Sequence, residues 1–92
     1  MNTSTVVQIA EDVLSQEVNG ETVLLNLNNE SYFGLDQVGT RIWQLIHEYG
    51  DLHKVRTAML EEYDVDELQV KQDVDELIRR LSEAGLVRVI TK

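Results

Sequence analysis

The chain contains no cysteine. That excludes a disulfide framework and thiol chemistry, and it fits a reducing cytoplasm. No apolar run approaches membrane-spanning length. The N-terminus, Met1-Asn2-Thr3-Ser4-Thr5, lacks the basic region and apolar core of a signal peptide. Cations are scarce: 8 Lys and Arg stand against 17 Asp and Glu, for a net charge of -9. Such a charge opposes nonspecific attraction to phosphate or to anionic membranes, and suits a partner of basic or neutral-apolar character. No repeat, low-complexity tract or linker interrupts the 92 residues, so residues 1–92 read as one small domain.

Catalytic equipment is also missing. Ser4, Ser15, Ser31 and Ser82 have no nucleophile motif around them. Gly34 and Gly39 are too far apart for a phosphate loop, and no lysine follows. His47 and His53 fall on different helical segments and would need Glu48 or Asp51 to complete a metal site. The ordinary reading is two surface histidines. Glu61, Glu62, Asp64, Asp66 and Glu67 cluster at a helix boundary, where capping and solvation account for them. The sequence therefore implies no catalytic residue, no metal and no cofactor. Function is expected to lie in a surface.

What is present is a switch from β to α character within one stretch. Ser31-Tyr32-Phe33-Gly34-Leu35 reads as a short aromatic strand, and Asp36 as the N-cap of the helix that follows. Before it, Asn19-Gly20 is a strong hairpin signal, since a type I′ turn needs positive φ at both central residues. The register then pairs Val18 with Glu21, Gln16 with Val23 and Leu14 with Leu25. Leu14, Val18, Val23, Leu25 and Leu27 share a face, which is expected to be the core face, with Val13 and Leu24 on the other. A second turn leads to the third strand, Ser31–Leu35. A two-residue loop at Asn29-Glu30 puts Tyr32 on the Leu25 face, whereas a three-residue loop at Asn28–Glu30 puts Phe33 and Leu35 there. Residues 1–11 read as a frayed lead-in to this meander or as a short edge segment.

Three helices follow. The first spans Gln37 to about Glu48, ending at Gly50, with an interior Gly39 that implies close approach to another element. The second, capped by Asp51, runs from Leu52 to about Tyr63, with Val55, Ala58 and Met59 inward. The third runs from Glu67 to Glu83. Asp66 and Gln69 form a capping-box pattern at its start, and Val70, Val74, Leu77, Ile78 and Leu81 form its apolar stripe. Leu86–Ile90 reads as a terminal strand or extended tail. The fold class is thus α+β: a winged helix-turn-helix-like domain with an N-terminal three-stranded antiparallel β-meander and three α-helices.

This order raises DNA binding by a winged-helix regulator as an alternative. The third helix would be the reader, yet it carries Asp66, Glu67, Asp73, Asp75, Glu76 and Glu83 against Lys71, Arg79 and Arg80. An acidic helix meets repulsion in a phosphate-walled groove. A generic module for a folded protein partner is a further rival. The third strand, by contrast, has an open edge that can accept an added strand, with side-chain pockets supplying specificity. Tyr32, Phe33 and the flank of the third helix would make those pockets, with Asp73 and Arg80 as a polar rim.

Several segments, in this order and spacing, resemble the PqqD family. They are Leu24-Leu25-Asn26-Leu27, Tyr32-Phe33-Gly34-Leu35-Asp36, Gly39-Thr40-Arg41-Ile42-Trp43, Glu62-Tyr63-Asp64-Val65, Asp73-Val74 and Leu81-Ser82-Glu83-Ala84-Gly85-Leu86. The match covers about residues 12–87. The resemblance implies a stand-alone recognition element for ribosomally synthesised, post-translationally modified peptides (RiPPs). Such a domain acts as a peptide chaperone. It holds the leader of a precursor peptide for a modifying enzyme such as a radical SAM protein, as in pyrroloquinoline quinone synthesis, or for a transglutaminase-like leader peptidase, as in lasso-peptide synthesis. The leader would add to the third strand and lie against the third helix. The implied peptide-binding residues are Ser31, Tyr32, Phe33, Gly34 and Leu35 of the strand with Val70, Asp73, Val74, Leu77 and Arg80 of the helix. No nucleic acid and no membrane is expected as partner, and the location is expected to be cytoplasmic.

Overall fold

The computed structural model describes residues 5–91. The first four residues of the lead-in, and Lys92, lie outside the described residues. The element order is β1 (Thr5–Ile9), β2 (Val13–Val18), β3 (Glu21–Asn26), β4 (Ser31–Leu35), α1 (Gln37–Tyr49), α2 (Leu52–Glu62), α3 (Glu67–Glu83) and β5 (Val87–Thr91). A three-stranded antiparallel sheet, β2-β3-β4, is followed by three helices, as the sequence leads one to expect. No helix of the described residues is long and apolar enough to cross a membrane.

The β2–β3 hairpin has the expected register, from Val13 opposite Asn26 to Val18 opposite Glu21. Asn19 and Gly20 have φ of 56° and 82°, so both central residues of the turn take the left-handed backbone that this dipeptide favours. The expected core face is wrong. Leu24 is fully buried, and its same-face neighbours Thr22 and Asn26 are 3% and 4% exposed. Leu14, Val18, Val23 and Leu27 are 56%, 57%, 49% and 48% exposed, and Leu25 is only half-buried. The face richer in apolar residues points outward, because the helices return over the other one. Asn26 tolerates burial because its amide is satisfied at both ends: Nδ2 donates to the Ala84 carbonyl at 3.1 Å, and Oδ1 accepts from Asn28 N–H at 2.9 Å.

β4 pairs with β3 so that Leu25 faces Tyr32 and Leu24 faces Phe33. The connection, Leu27-Asn28-Asn29-Glu30, is longer than either loop considered above, but it has the parity that puts Tyr32 with Leu25. Phe33 and Leu35 therefore face the core, and Leu35 is buried.

The lead-in contains a strand, as the edge-segment reading has it, and its described residues are not a frayed end. β1 pairs antiparallel with β5, from Thr5 opposite Thr91 to Ile9 opposite Val87, in a second small sheet. Val7 enters the core at its centre, and its N–H donates to the Gly50 carbonyl at 2.7 Å.

The helices begin where the sequence places them. Asp36, Asp51 and Asp66 accept from the N–H groups of Gly39, Lys54 and Gln69 at 2.8, 3.2 and 2.8 Å. The capping box at Asp66 is half-formed. The Gln69 side chain donates to Asp73 at 2.9 Å instead of reaching back to the cap. Gly39 packs against the strand it leaves: a Cβ there would lie 3.2 Å from Leu35 Cδ2. One continuous core joins Leu24 and Leu35 of the sheet to Ile42, Trp43, Leu45 and Ile46 of α1, to Val55 and Met59 of α2, and to the α3 stripe.

Candidate functional site

β4 is hydrogen-bonded to β3 on one side only, and among the described residues no strand pairs with its other edge. The terminal strand β5 pairs with β1 and leaves that edge open. A sheet edge carries unpaired N–H and C=O groups at strand spacing, a ready template for another extended chain.

α3 borders this edge. Arg80 lies over the Phe33 ring, with its guanidinium carbon 5.1 Å from the ring centroid. That distance lies within the range of a cation–π contact. The stacking holds one polar side chain of α3 against the inner side of β4. Farther up the helix, Asp73 is exposed, and its Oδ1 accepts from Gln69 Nε2. The (i, i+4) spacing of Gln69 and Asp73 makes that bond legible in the sequence. The meeting of Phe33 and Arg80, far apart in sequence, carries no such signal.

The ten residues expected at the site divide into two groups. Leu35, Val70, Val74 and Leu77 are buried in the core. They fix β4 and α3 in place and offer little open surface. Ser31, Tyr32, Gly34, Asp73 and Arg80 are exposed, and Phe33 is half-buried. Tyr32, at 74%, is the most exposed large hydrophobic side chain among the described residues. It stands on the outer face of the sheet, whereas Phe33 faces α3, so the two aromatics present different sides of one strand.

Charge on α3 is largely neutralised within the protein. Lys71 pairs with Asp75 at 3.0 Å, and Arg79 pairs with Glu76 and Glu83 at 2.6 and 2.9 Å. Arg56 of α2 also pairs with Asp75. Burial works against ionisation of Asp75, but the hydrogen bonds from Arg56 and Lys71 outweigh it and hold the carboxyl below its ordinary value. Arg41 of α1 clamps Glu62 of α2 with two bonds of 2.7 Å and keeps that carboxyl below the usual range. Arg80 is left as the one cation of α3 without a carboxylate partner among the described residues.

Other candidate chemistry does not assemble. His47 and His53 are exposed, and among the described residues no three His, Asp or Glu side chains converge as a metal site. A hollow of about 1080 Å³ lies away from the β4 edge, between β1, β5 and the end of α1. It is an open dish that belongs to the second sheet. The strand edge beside α3 is the stronger candidate because, unlike the open edge of β2, its strand has an α3 side chain, Arg80, stacked against it.

Comparison with known proteins agrees with this architecture. No curated protein matches the chain. TbiB1, solved in complex with the TbiA(beta) leader peptide, superposes with a TM-score of 0.84 at 37% sequence identity, over 88% of this chain and 94% of that one. Lasso peptide synthetase B1, solved with its leader peptide, superposes with a TM-score of 0.80 at 20% identity, over 89% of this chain and 96% of that one, and supports the fold. The family model described as coenzyme PQQ synthesis protein D matches residues 21–87, from the first residue of β3 to the first of β5. With β3, β4, the three helices and the motifs between them all inside that match, the chain belongs to the PqqD family.

Proposed function

We propose that this protein binds the leader segment of a ribosomally synthesised precursor peptide by strand addition at β4, and presents it to a modifying enzyme or leader peptidase. The observation that carries this proposal is the open β4 edge with Arg80 of α3 stacked on Phe33 beside it. The leader-peptide complex of TbiB1, at 37% identity, supports the same assignment. Backbone pairing along β4 supplies affinity, and the flanking side chains supply selectivity. Ser31, Tyr32, Phe33 and Gly34 contact the peptide from the strand, and Asp73 and Arg80 from the helix. Leu35, Val70, Val74 and Leu77 support them from within the core.

The protein contributes binding, and the enzyme contributes the chemistry. That enzyme is a radical SAM protein in a pathway like pyrroloquinoline quinone synthesis, or a transglutaminase-like peptidase in a lasso-peptide pathway. The encounter takes place in the cytoplasm, where precursor peptides are made and where a cysteine-free, acidic domain is at home.

The test is titration of the isotopically labelled protein with the leader of the precursor encoded beside it, followed by backbone amide shifts. The largest shifts are expected from Ser31 to Leu35 and along the Asp73–Arg80 flank of α3. Largest shifts on α2, with β4 silent, would overturn the assignment.

A further inference from the structure

The three-stranded sheet has a second face that no helix of the described residues covers. Leu14, Leu25 and Tyr32 form a continuous row across β2, β3 and β4, each opposite the next. Val23 lies beside this row, and Val18 extends the apolar surface along β2. Apart from half-buried Leu25, these side chains are largely exposed. Single exposed apolar residues are ordinary, but a contiguous set on one side of a sheet marks an interaction surface. The set also explains why the apolar pattern of β2 and β3 points to the wrong core: those residues are placed for an external contact.

The charge around this face decides what kind of partner it fits. No Lys, Arg or His precedes Arg41, while Glu11, Asp12, Glu21, Glu30 and Asp36 are all acidic. Glu17 is acidic too but turns to the helix side, where it accepts from Gln44 of α1. Glu21 stands on the outer face itself, opposite Val18. Glu30 sits in the β3–β4 turn, and Asp12 abuts the other end of the same turn, where its carbonyl accepts from Leu27 N–H. The patch is therefore apolar at its centre, and the charged side chains that its own strands and turns place at the rim are anionic. A second copy of this chain would set carboxylate against carboxylate, whereas a rim of Lys and Arg on another protein is complementary.

We infer that the outer face of β2-β3-β4 docks an apolar, basic-rimmed surface of the enzyme that acts on the bound peptide. The identity of that partner rests on the function proposed above; the face and its chemistry do not. A strand added at the β4 edge would project alternate side chains onto the same outer face as Tyr32. A protein seated on that face would then meet the peptide directly. Presentation would follow from the shared sheet, without movement of the domain.

The test uses the full chain, the purified modifying enzyme encoded beside it, and the labelled leader in separate binding measurements. Val23→Glu and Leu14→Ser change the outer face at exposed positions, and Leu68→Ser on α3 serves as an exposed apolar control. Both outer-face variants are expected to weaken enzyme binding by about tenfold or more, with Leu68→Ser within about twofold. Leader affinity should stay within about twofold in all three, because none removes a β4-edge contact. Glu21→Lys should also weaken enzyme binding, and raising salt should weaken that of the wild type. Enzyme affinity unchanged in folded outer-face variants would overturn the inference, as would no enzyme binding by the wild type. A wild-type dimer in sedimentation that Val23→Glu splits would assign the face to a second copy and overturn it too. A wild type that binds enzyme through this face but not leader would instead sink the leader assignment and leave the docking face standing.

Discussion

Asn26 Nδ2 donates to the Ala84 carbonyl at 3.1 Å and ties the end of β3 to the end of α3. Ala84 is the C-cap of α3, so the bond satisfies a carbonyl in the last turn of the helix. The next residue, Gly85, has φ of 75°, and a Cβ there would lie 3.1 Å from the same amide nitrogen. The sheet and the helix that together frame the open edge are thus locked at one buried point. Asn26→Ala should cost about 1–3 kcal/mol, because it leaves the part-buried Ala84 carbonyl and Asn28 N–H without their partner. Urea unfolding with an unchanged slope should report the loss as a lower midpoint. A midpoint equal to wild type would show that the bond does not hold the two elements.

Burial on the two sheet faces predicts opposite mutational responses on neighbouring residues. Leu24→Ala, at a fully buried site, should destabilise by about 2–5 kcal/mol. Trp43→Ala, 6% exposed on α1, should cost about 3–5 kcal/mol, enough to unfold so small a domain. Leu14→Ala and Val23→Ala should change stability by only about 0.5 kcal/mol, since both side chains face solvent. Thermal melts of the four variants check this directly. Equal losses at Leu24 and Leu14 would contradict the assignment of the faces.

Those same residues show what a sequence can reveal. The hairpin register, all three helix starts and the apolar stripe of α3 rest on local chemistry: positive φ at Asn19-Gly20, aspartate caps, and helical spacing. They were legible. The core face was not, because alternation identifies two faces without saying which one the helices will cover. Thr22 and Asn26 made the true inner face look polar, and one of the two partners that make Asn26 acceptable there is 58 residues away. The β1–β5 pair was hidden for the same reason: its two strands come from opposite ends of the chain. At the candidate site, the strand and the helix were legible and the Arg80–Phe33 contact was not. Four of the expected contact residues also have a simpler role in the apolar stripe and the core, which periodicity alone cannot separate from a ligand surface.

Low pH should loosen the helical layer. Glu62, held by Arg41, and Asp75, held by Arg56 and Lys71, both have carboxyl groups below their ordinary values in the folded protein. A depressed folded value means the unfolded chain takes up protons first as pH falls, so stability falls with it. The contribution is complete above the unfolded carboxylate values, near about 4, and is lost progressively as pH drops through the lower folded ones. Asp75→Asn should flatten that acid limb, and Glu62→Gln should flatten it less, since the Arg41–Glu62 pair is the more solvent-screened. Unfolding midpoints between neutral pH and about pH 3 measure it. An acid limb identical in the wild type and in Asp75→Asn would remove Asp75 from the account.

Asp73 and Arg80 are proposed to set the register of the bound leader. Pairing along a strand edge is nearly blind to sequence, so side chains must fix which residue sits where. The two residues are seven apart on α3, about 10.5 Å along the axis at about 1.5 Å per residue. An extended peptide at about 3.3 Å per residue would meet them roughly three residues apart. Gln69 restrains Asp73 through its Oδ1, and Phe33 restrains Arg80 by stacking against β4, so both charges are held in place before any peptide arrives. A leader with matching opposite charges would bind in one register and meet like charges when reversed. Both positions are exposed, so each contact should contribute only about 0.2–1 kcal/mol. Asp73→Asn should therefore weaken binding by less than about tenfold and make affinity less dependent on salt. Arg80→Lys keeps the charge but loses the planar stack on Phe33, so it should weaken binding despite conserving charge. Charge reversal at Asp73 should hurt more than neutralisation, and a compensating reversal in the leader should restore part of the loss. The decisive measurement is a double-mutant cycle between Asp73 and the nearest basic leader residue. A coupling energy of zero in a folded variant would leave Asp73 as a solvated helix flank and hand register to Phe33 and Arg80 alone.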